Sequence, residues 1–465
     1  MKAVGFVVAF TLGLASAHAA DLKQISPFAS PAELVAARKT TTEPALEIVY
    51  RIERDGAPEI AVVDLAQDFT TITSGTHTLL YDYALRRVID LDNTSHVMRN
   101  NSLYGELDFQ VLETANRRME RGLLTSLHAG SEAKMLAPFW VQSALHIMDS
   151  EDSAPMLARN KDADGTVHFS LGGEEVASYA ASTHVLPNDE ARLLNRFLYA
   201  YGPLHPLIIS EIVESARVPQ RIAYTSWEGG KEGRGVWTLQ SATSVNAVYP
   251  LKTDVKPPPL DVAALPQPGL AGIVRAPPAA CSLEDYRNSV ERALTGQHPF
   301  QAFLLALEMM EQYGREAANC AGAQDCHASS EIVAMAKSDS RMQILGSALQ
   351  PAKQNLASAI DALGTMKRDD LSNAYLLDDF RGNLLVVARK SDEALPLLAA
   401  AIKGNPAMPG FYKDMGDAYR SQFDMASAWY FYDIGRTLPG AADAPVISTI
   451  TKYETQLETL HPEFF

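Results

Sequence analysis

The sequence predicts an α+β protein, with an antiparallel domain of mixed strands and helices, a proline-rich linker and an all-α C-terminal domain. Three observations predict this. Apolar and polar residues alternate in short runs up to about residue 248, with helix-period stretches between them. Pro250, Pro257, Pro258, Pro259, Pro266, Pro268, Pro277 and Pro278 crowd the stretch 249–280, where neither helix nor sheet can run through. From Cys281 onward Ala, Leu, Met and Glu dominate and β-branched runs are rare. A length of 465 residues allows about two or three domains.

The first 20 residues stand apart. Met1 and Lys2 give a positive start, Ala3 to Ala15 are apolar except Thr11, and Ala17-His18-Ala19 offers small residues for cleavage. This pattern predicts a secretory signal peptide and a periplasmic or secreted mature chain beginning near Ala20. The apolar run is too short to span a bilayer, and no later run is long enough, so no transmembrane segment is expected after cleavage.

The first domain is read over 25–248. Leu46, Ile48, Tyr50 and Ile52 alternate with Glu47, Val49 and Arg51, which predicts a strand. Asp55-Gly56 then signals a turn into a strand from Glu59 to Leu65. Thr70 to Thr73, His77 to Tyr83 and Arg86 to Leu91 read as further strands. From Tyr104 to Leu124 the period changes. Leu107, Val111, Ala115 and Met119 recur every fourth residue and predict an amphipathic helix. Strands return at Val167 to Leu171 and Glu175 to Tyr179, helices at Glu190–Tyr201 and Leu207–Ala216. A final glycine-rich hairpin joins Gln220–Trp227 to Gly235–Ala242. There Tyr224, Trp227 and Trp237 are placed to stiffen the sheet as cross-strand aromatics.

The helical region, 281–465, repeats itself. Gly382 and Gly416, Ala394 and Ala428, Leu398 and Tyr432, and Ala401 and Gly435 are each spaced by 34 residues. Small residues let two antiparallel helices approach closely, and larger apolar ones fill the gap to the next unit. In these positions the segments Leu377 to Pro406 and Phe411 to Pro439 resemble the tetratricopeptide repeat (TPR) family. They depart from its pattern at Arg381 and at Pro396, which falls inside a presumed helix. Leu283–Gly314 reads as degenerate helical hairpins and Ala444 to Leu460 as a capping helix.

The resemblance implies a concave groove that binds a protein or peptide. Its lining would be Asp379, Asn383, Val386 and Val387 in one unit and Lys413, Asp417, Arg420 and Ser421 in the next. Such mixed charges suit a polar peptide or a chain terminus.

Composition and missing motifs narrow the function. At 47% hydrophobic and 21% charged residues the chain fills real cores, which excludes general disorder and collagen-like fibres. With 40 Lys+Arg against 56 Asp+Glu, a net charge of −16, nucleic acid is not expected as a main partner. Cys320 and Cys326 enclose a short loop that a disulfide could close, with Cys281 as a competing partner. Cys326-His327 lacks the cysteine spacing of haem attachment, and two thiols with one His leave a zinc site incomplete, so no cofactor or metal is expected. The nucleophile elbow, the paired-His zinc helix and the P-loop are all missing. The chain therefore reads as an exported scaffold or adaptor rather than an enzyme. Two alternatives stay open: an exported hydrolase with an unrecognised site in the first domain, and a carrier of a small apolar ligand.

Overall fold

The computed structural model describes residues 25–54, 57–112, 157–171, 173–228, 231–252, 270–318, 339–349, 355–438 and 444–465, with the single positions 119, 334, 337 and 441. The leader, Asp55-Gly56, Cys320, Cys326 and most of the proline-rich stretch lie outside these residues.

The N-terminal part is one antiparallel sheet of 11 strands. Helix α1 (Pro31–Ala37), capped by Ser30 and Glu33, leads into β1 (Thr42–Glu53). A meander follows through β2 (Glu59–Ala66), β3 (Phe69–Ser74), β4 (His77–Asp82), β5 (Arg87–Asp92) and β6 (Val97–Ser102). Residues 103–112 turn helical as α2. A second meander runs through β7 (Leu157–Lys161), β8 (Val167–Leu171) and β9 (Glu174–Val185). After α3 (Asn188–Tyr201) and α4 (Pro206–Glu214) come β10 (Arg217–Glu228) and β11 (Lys231–Val248). The spatial order is β6-β5-β4-β3-β2-β1-β11-β10-β9-β8-β7, so β1 and β11 pair at the centre and join the two meanders.

The alternation read from β1 has a physical cause. Leu46, Ile48, Tyr50 and Ile52 point to one face and meet Leu194, Phe197, Ile208 and Ile212 of α3 and α4. Tyr81 donates to the Ala200 carbonyl at 3.2 Å and Tyr179 to the Glu211 carbonyl at 3.3 Å, so each helix is tied to one half of the sheet. Trp237 is fully buried here, edge-on to Tyr224 at 6.4 Å and beside Tyr50, Phe197 and Tyr201. At one end the opposite face packs Leu34, Phe69, Leu80, Ile89, Met98 and Tyr249. Tyr249 and Leu251, at the start of the proline-rich stretch, are buried, and Tyr249 donates to Asp82 at 2.6 Å. Within the same stretch Leu270–Arg275 is helical (α5).

The C-terminal part is helical. Its elements are α6 (Leu283–Thr295), α7 (Pro299–Ala318), α8 (Ser340–Leu349), α9 (Leu356–Thr365), α10 (Tyr375–Val387), α11 (Ser391–Gly404), α12 (Pro409–Ser421), α13 (Met425–Thr437) and α14 (Pro445–Leu460). A one-turn 3-10 helix, Pro462–Phe464, closes the chain. Helix α11 runs through Pro396 without a break, and α7 is kinked at Gly314, whose φ is 48°.

The two hairpins α10–α11 and α12–α13 are built alike. A Cβ on Gly382 would stand 2.8 Å from Leu398, and one on Gly416 would stand 2.3 Å from Tyr432, so each glycine is where its helix pair touches. The hairpin turns match as well, with Arg389 at φ 60° and Phe423 at φ 63°. Lys390 N–H reaches the Leu385 carbonyl, as Asp424 N–H reaches that of Tyr419.

Sheet and helices share one seam. Arg87 of β5 is buried and paired with Asp433 of α13, which has no exposure. Asp433 also pairs with Arg436, and Arg436 with Glu454 of α14. Asn100 of β6 holds the Arg87 guanidinium at 2.7 Å. Helix α2 adds Tyr104, stacked on Trp429 at 5.1 Å, and buried Asp108, which accepts from Trp429 Nε1 at 3.0 Å. The C-terminal Phe464 meets Tyr199 of α3, and Phe465 meets Tyr104.

Breaking one partner of a buried ion pair strands the other in low dielectric, at a cost of about 3–5 kcal/mol. Asp433→Ala is expected to lose that much in urea denaturation, and the apolar double variant Arg87→Met with Asp433→Leu to recover most of it. The glycine contacts give a second expectation. Gly416→Ala should destabilise by about 3 kcal/mol through overpacking. Gly346→Ala in α8, where nothing lies within 4 Å of the new Cβ, should raise stability by up to about 1 kcal/mol.

Candidate functional site

Of the eight residues read as a groove lining, the structure brings Asp379, Asn383, Lys413 and Asp417 together, ties Arg420 to α2, and leaves Val386, Val387 and Ser421 at the turn end of the hairpins. Asp379 and Asn383 lie one turn apart on α10, and Lys413 and Asp417 one turn apart on α12. Asn383 Nδ2 donates to Asp379 Oδ2 at 3.3 Å and to Asp414 Oδ2 at 2.8 Å, bridging the two helices. Lys413 Nζ lies 3.2 Å from Asp414 Oδ1 and also pairs with Asp417. Tyr432 of α13 donates to Asp417 at 2.6 Å. Arg420 instead forms a two-pronged bond with Asp108 of α2, at 2.7 and 2.8 Å, and its guanidinium lies over the Tyr453 ring of α14.

This face therefore looks inward. Asp379 is only 3% exposed, and α7 and α14 both pack against α12. The position on α7 that meets the cluster is Glu311, whose carboxylate rests against Gly410 in the first turn of α12. One turn earlier Glu308, also buried, accepts from Tyr286, Tyr375, Asn373 and Asn405 at 2.6 to 3.1 Å, which braces α6, α7, α10 and the end of α11.

The electrostatics follow from burial. Desolvation pushes the Glu311 carboxyl up to about 7, helped by the negative Asp414 and Glu308. Burial, with the neighbouring carboxylates, also raises Asp379 and Asp414 above the usual carboxylate range. Both carboxylates accept from the Asn383 amide, and Asp379 Oδ1 is buried with no donor, an arrangement that favours the protonated form. Lys413 is held charged by Asp414 and Asp417 against the cost of its own burial. Lys413 already fills the cation position, and among the described residues no three carboxyl, His or Cys groups converge on a metal site.

Sequence reasoning missed Glu311 and Asp414. Both are charged residues on the inward side of amphipathic helices, and that mismatch was the available signal. On the sheet, His168 of β8 lies between Glu175 of β9 at 2.7 Å and Asp162 of the β7–β8 turn at 3.1 Å. Those strands border a cavity of about 390 Å³ lined by Glu175, Ala177, Tyr224, Thr225 and Arg234. Cys281 is a free, exposed thiol.

Comparison with protein-family models, with curated proteins and with solved structures finds no match.

The cluster makes stability depend on pH in a defined sense. A carboxyl whose folded pKa lies above its unfolded value contributes most below the unfolded value, and the contribution is lost as pH rises through the folded one. Removing the single ammonium should steepen that loss. Lys413→Met is expected to cost roughly 1 kcal/mol at pH 5, where the carboxyls are largely protonated, and roughly 3 kcal/mol at pH 8. Urea denaturation at the two pH values checks this, and equal losses would contradict the assignment.

Proposed function

We propose that the protein is an exported scaffold or adaptor that binds a protein or peptide partner through its TPR-like helical hairpins. The leader pattern supports export, and the matched geometry of α10–α11 and α12–α13 supports the repeat reading. The groove residues Asp379, Asn383, Lys413, Asp417 and Arg420 are engaged inside the molecule, so partner contact falls to the turn end of the same hairpins.

The observation that carries this is Phe423. It is 44% exposed at φ 63°, a conformation that a bulky side chain rarely adopts and that costs about 1–3 kcal/mol. Beside it Val387 is 69% exposed. The two turns are locked side by side by Ser391 Oγ to Ser421 Oγ at 2.5 Å and by Gln422 to Asp392 at 2.6 Å. Arg389 and Lys390 flank them together with exposed Asp392, Glu393 and Asp424, and Lys390 is paired with Glu393 at 3.0 Å, so the surface offers two exposed apolar side chains within a rim of mixed charge. A partner segment carrying an apolar anchor flanked by polar groups fits it.

A photo-crosslinking residue at position 423 or 387 is expected to give a discrete adduct with a protein of the same compartment, while one at exposed Leu460 gives none. Phe423→Asp should weaken that partner's binding at least tenfold with the thermal midpoint little changed. No adduct from either position, or turnover of an ester, peptide or glycan substrate, would overturn the reading.

A further inference from the structure

Four carboxyls, Asp379, Asp414, Asp417 and Glu311, meet between α7, α10 and α12, and among the described residues Lys413 is the one cation bonded to them. Asn383 of α10, Glu308 of α7 and Tyr432 of α13 complete the groups that face the cluster. One ammonium cannot balance four buried or half-buried negative charges, so the closed arrangement needs bound protons. Asp379 and Asp414 share the one Asn383 amide, and the buried Oδ1 of Asp379 has no donor, so a proton on this carboxyl relieves an unmet charge.

The mechanical setting singles out one segment. Glu308, held by four donors, pins α7 on one side. Gly314, at φ 48° and ψ −116°, breaks the helix on the other side. Between them lie residues 309–313, with Glu311 facing the cluster, Met310 exposed to solvent and Gln312 buried. Tyr313 is bonded to the Cys281 carbonyl and edge-on to Tyr286, so the segment moves only together with that contact to α6. A glycine in this conformation is a ready hinge, since it carries no Cβ to resist rotation.

We propose that this cluster is a proton-operated latch: while the Glu311 carboxyl is neutral, residues 309–313 stay closed over the carboxylates of α10 and α12, and its ionisation beside them releases the segment. Glu311 is the trigger because its carboxyl sits on the moving segment. Its ordinary value of 4.5 is pushed up to about 7, so the release falls in the mildly acidic to mildly alkaline range. The charge left behind is net negative and faces the freed segment, so release exposes an acidic face on α10 and α12.

Hydrogen exchange of the full chain, corrected for intrinsic rates, tests this between pH 5.5 and 8.5. Protection of amides 309–313 and 411–414 is expected to fall at least tenfold across that range, while the sheet amides do not change. Glu311→Gln, neutral at every pH, should keep the low-pH protection throughout. Carbon-13 titration of the Glu311 carboxyl should show the same midpoint as the exchange. Protection that does not change with pH, a loss spread evenly over the helical region, or a Gln variant that loses protection like the wild type would overturn the proposal. If Glu311→Gln fails to fold, the wild-type exchange profile and the carboxyl titration still decide.

Discussion

The ion pair of Arg87 with Asp433 holds the architecture together. Neither group has meaningful exposure, and they stand 346 residues apart in the chain. Burying two charges repays its desolvation only when every remaining donor and acceptor is met. Asn100 takes the other edge of the guanidinium, and Arg436 the other side of the carboxylate. The position of α13 on β6 is thus set by charge geometry as well as by apolar contact. Tyr104, Trp429 and Asp108 extend the same seam, and Tyr104 and Leu107 belong to the helical core although they follow directly on the sheet.

A similar balance of charge and burial governs the inward face of α10 and α12. That face meets α7 and α14, and its charged residues are matched against the chain's own groups. The match is complete at Arg420, where Asp108 supplies both acceptors, and incomplete at Asp379, whose buried Oδ1 has no donor. Val387 and Phe423, at the turn end of the same hairpins, are exposed.

Much of the fold was legible because local rules were obeyed. The period of two in Leu46, Ile48, Tyr50 and Ile52 marks a strand with one buried face, and the structure buries all four. Gly382 and Gly416 were readable because close helix contact leaves no room for a Cβ. Pro396, read as lying inside a presumed helix against the family's pattern, does lie inside helix α11. Strand β7 carries a single large apolar residue in Leu157–Lys161, as suits an edge blunted by Arg159 and Lys161. At the site, the resemblance to a repeat family put Asp379, Asn383, Lys413 and Asp417 on one face. It could not show that Glu311, 68 positions before Asp379, returns to the same place, or that Asp108 captures Arg420. Those pairings depend on how separate segments pack, and no local pattern encodes that.

The seam also bears on the order of synthesis. Strand β6 ends the sheet on the side that α13 covers, yet more than 300 residues are made between them. Throughout that interval Arg87 has no counter-charge and the outer edge of β6 has no neighbour from α13. An unpaired edge invites pairing with another chain. Contacts so distant in sequence also form late, because closing the loop costs entropy before any contact offsets it. The sheet half therefore matures only when the last helices arrive. A chain cut short before Asp433 would carry an unneutralised arginine beside an open strand, a combination suited to capture by a chaperone or to aggregation.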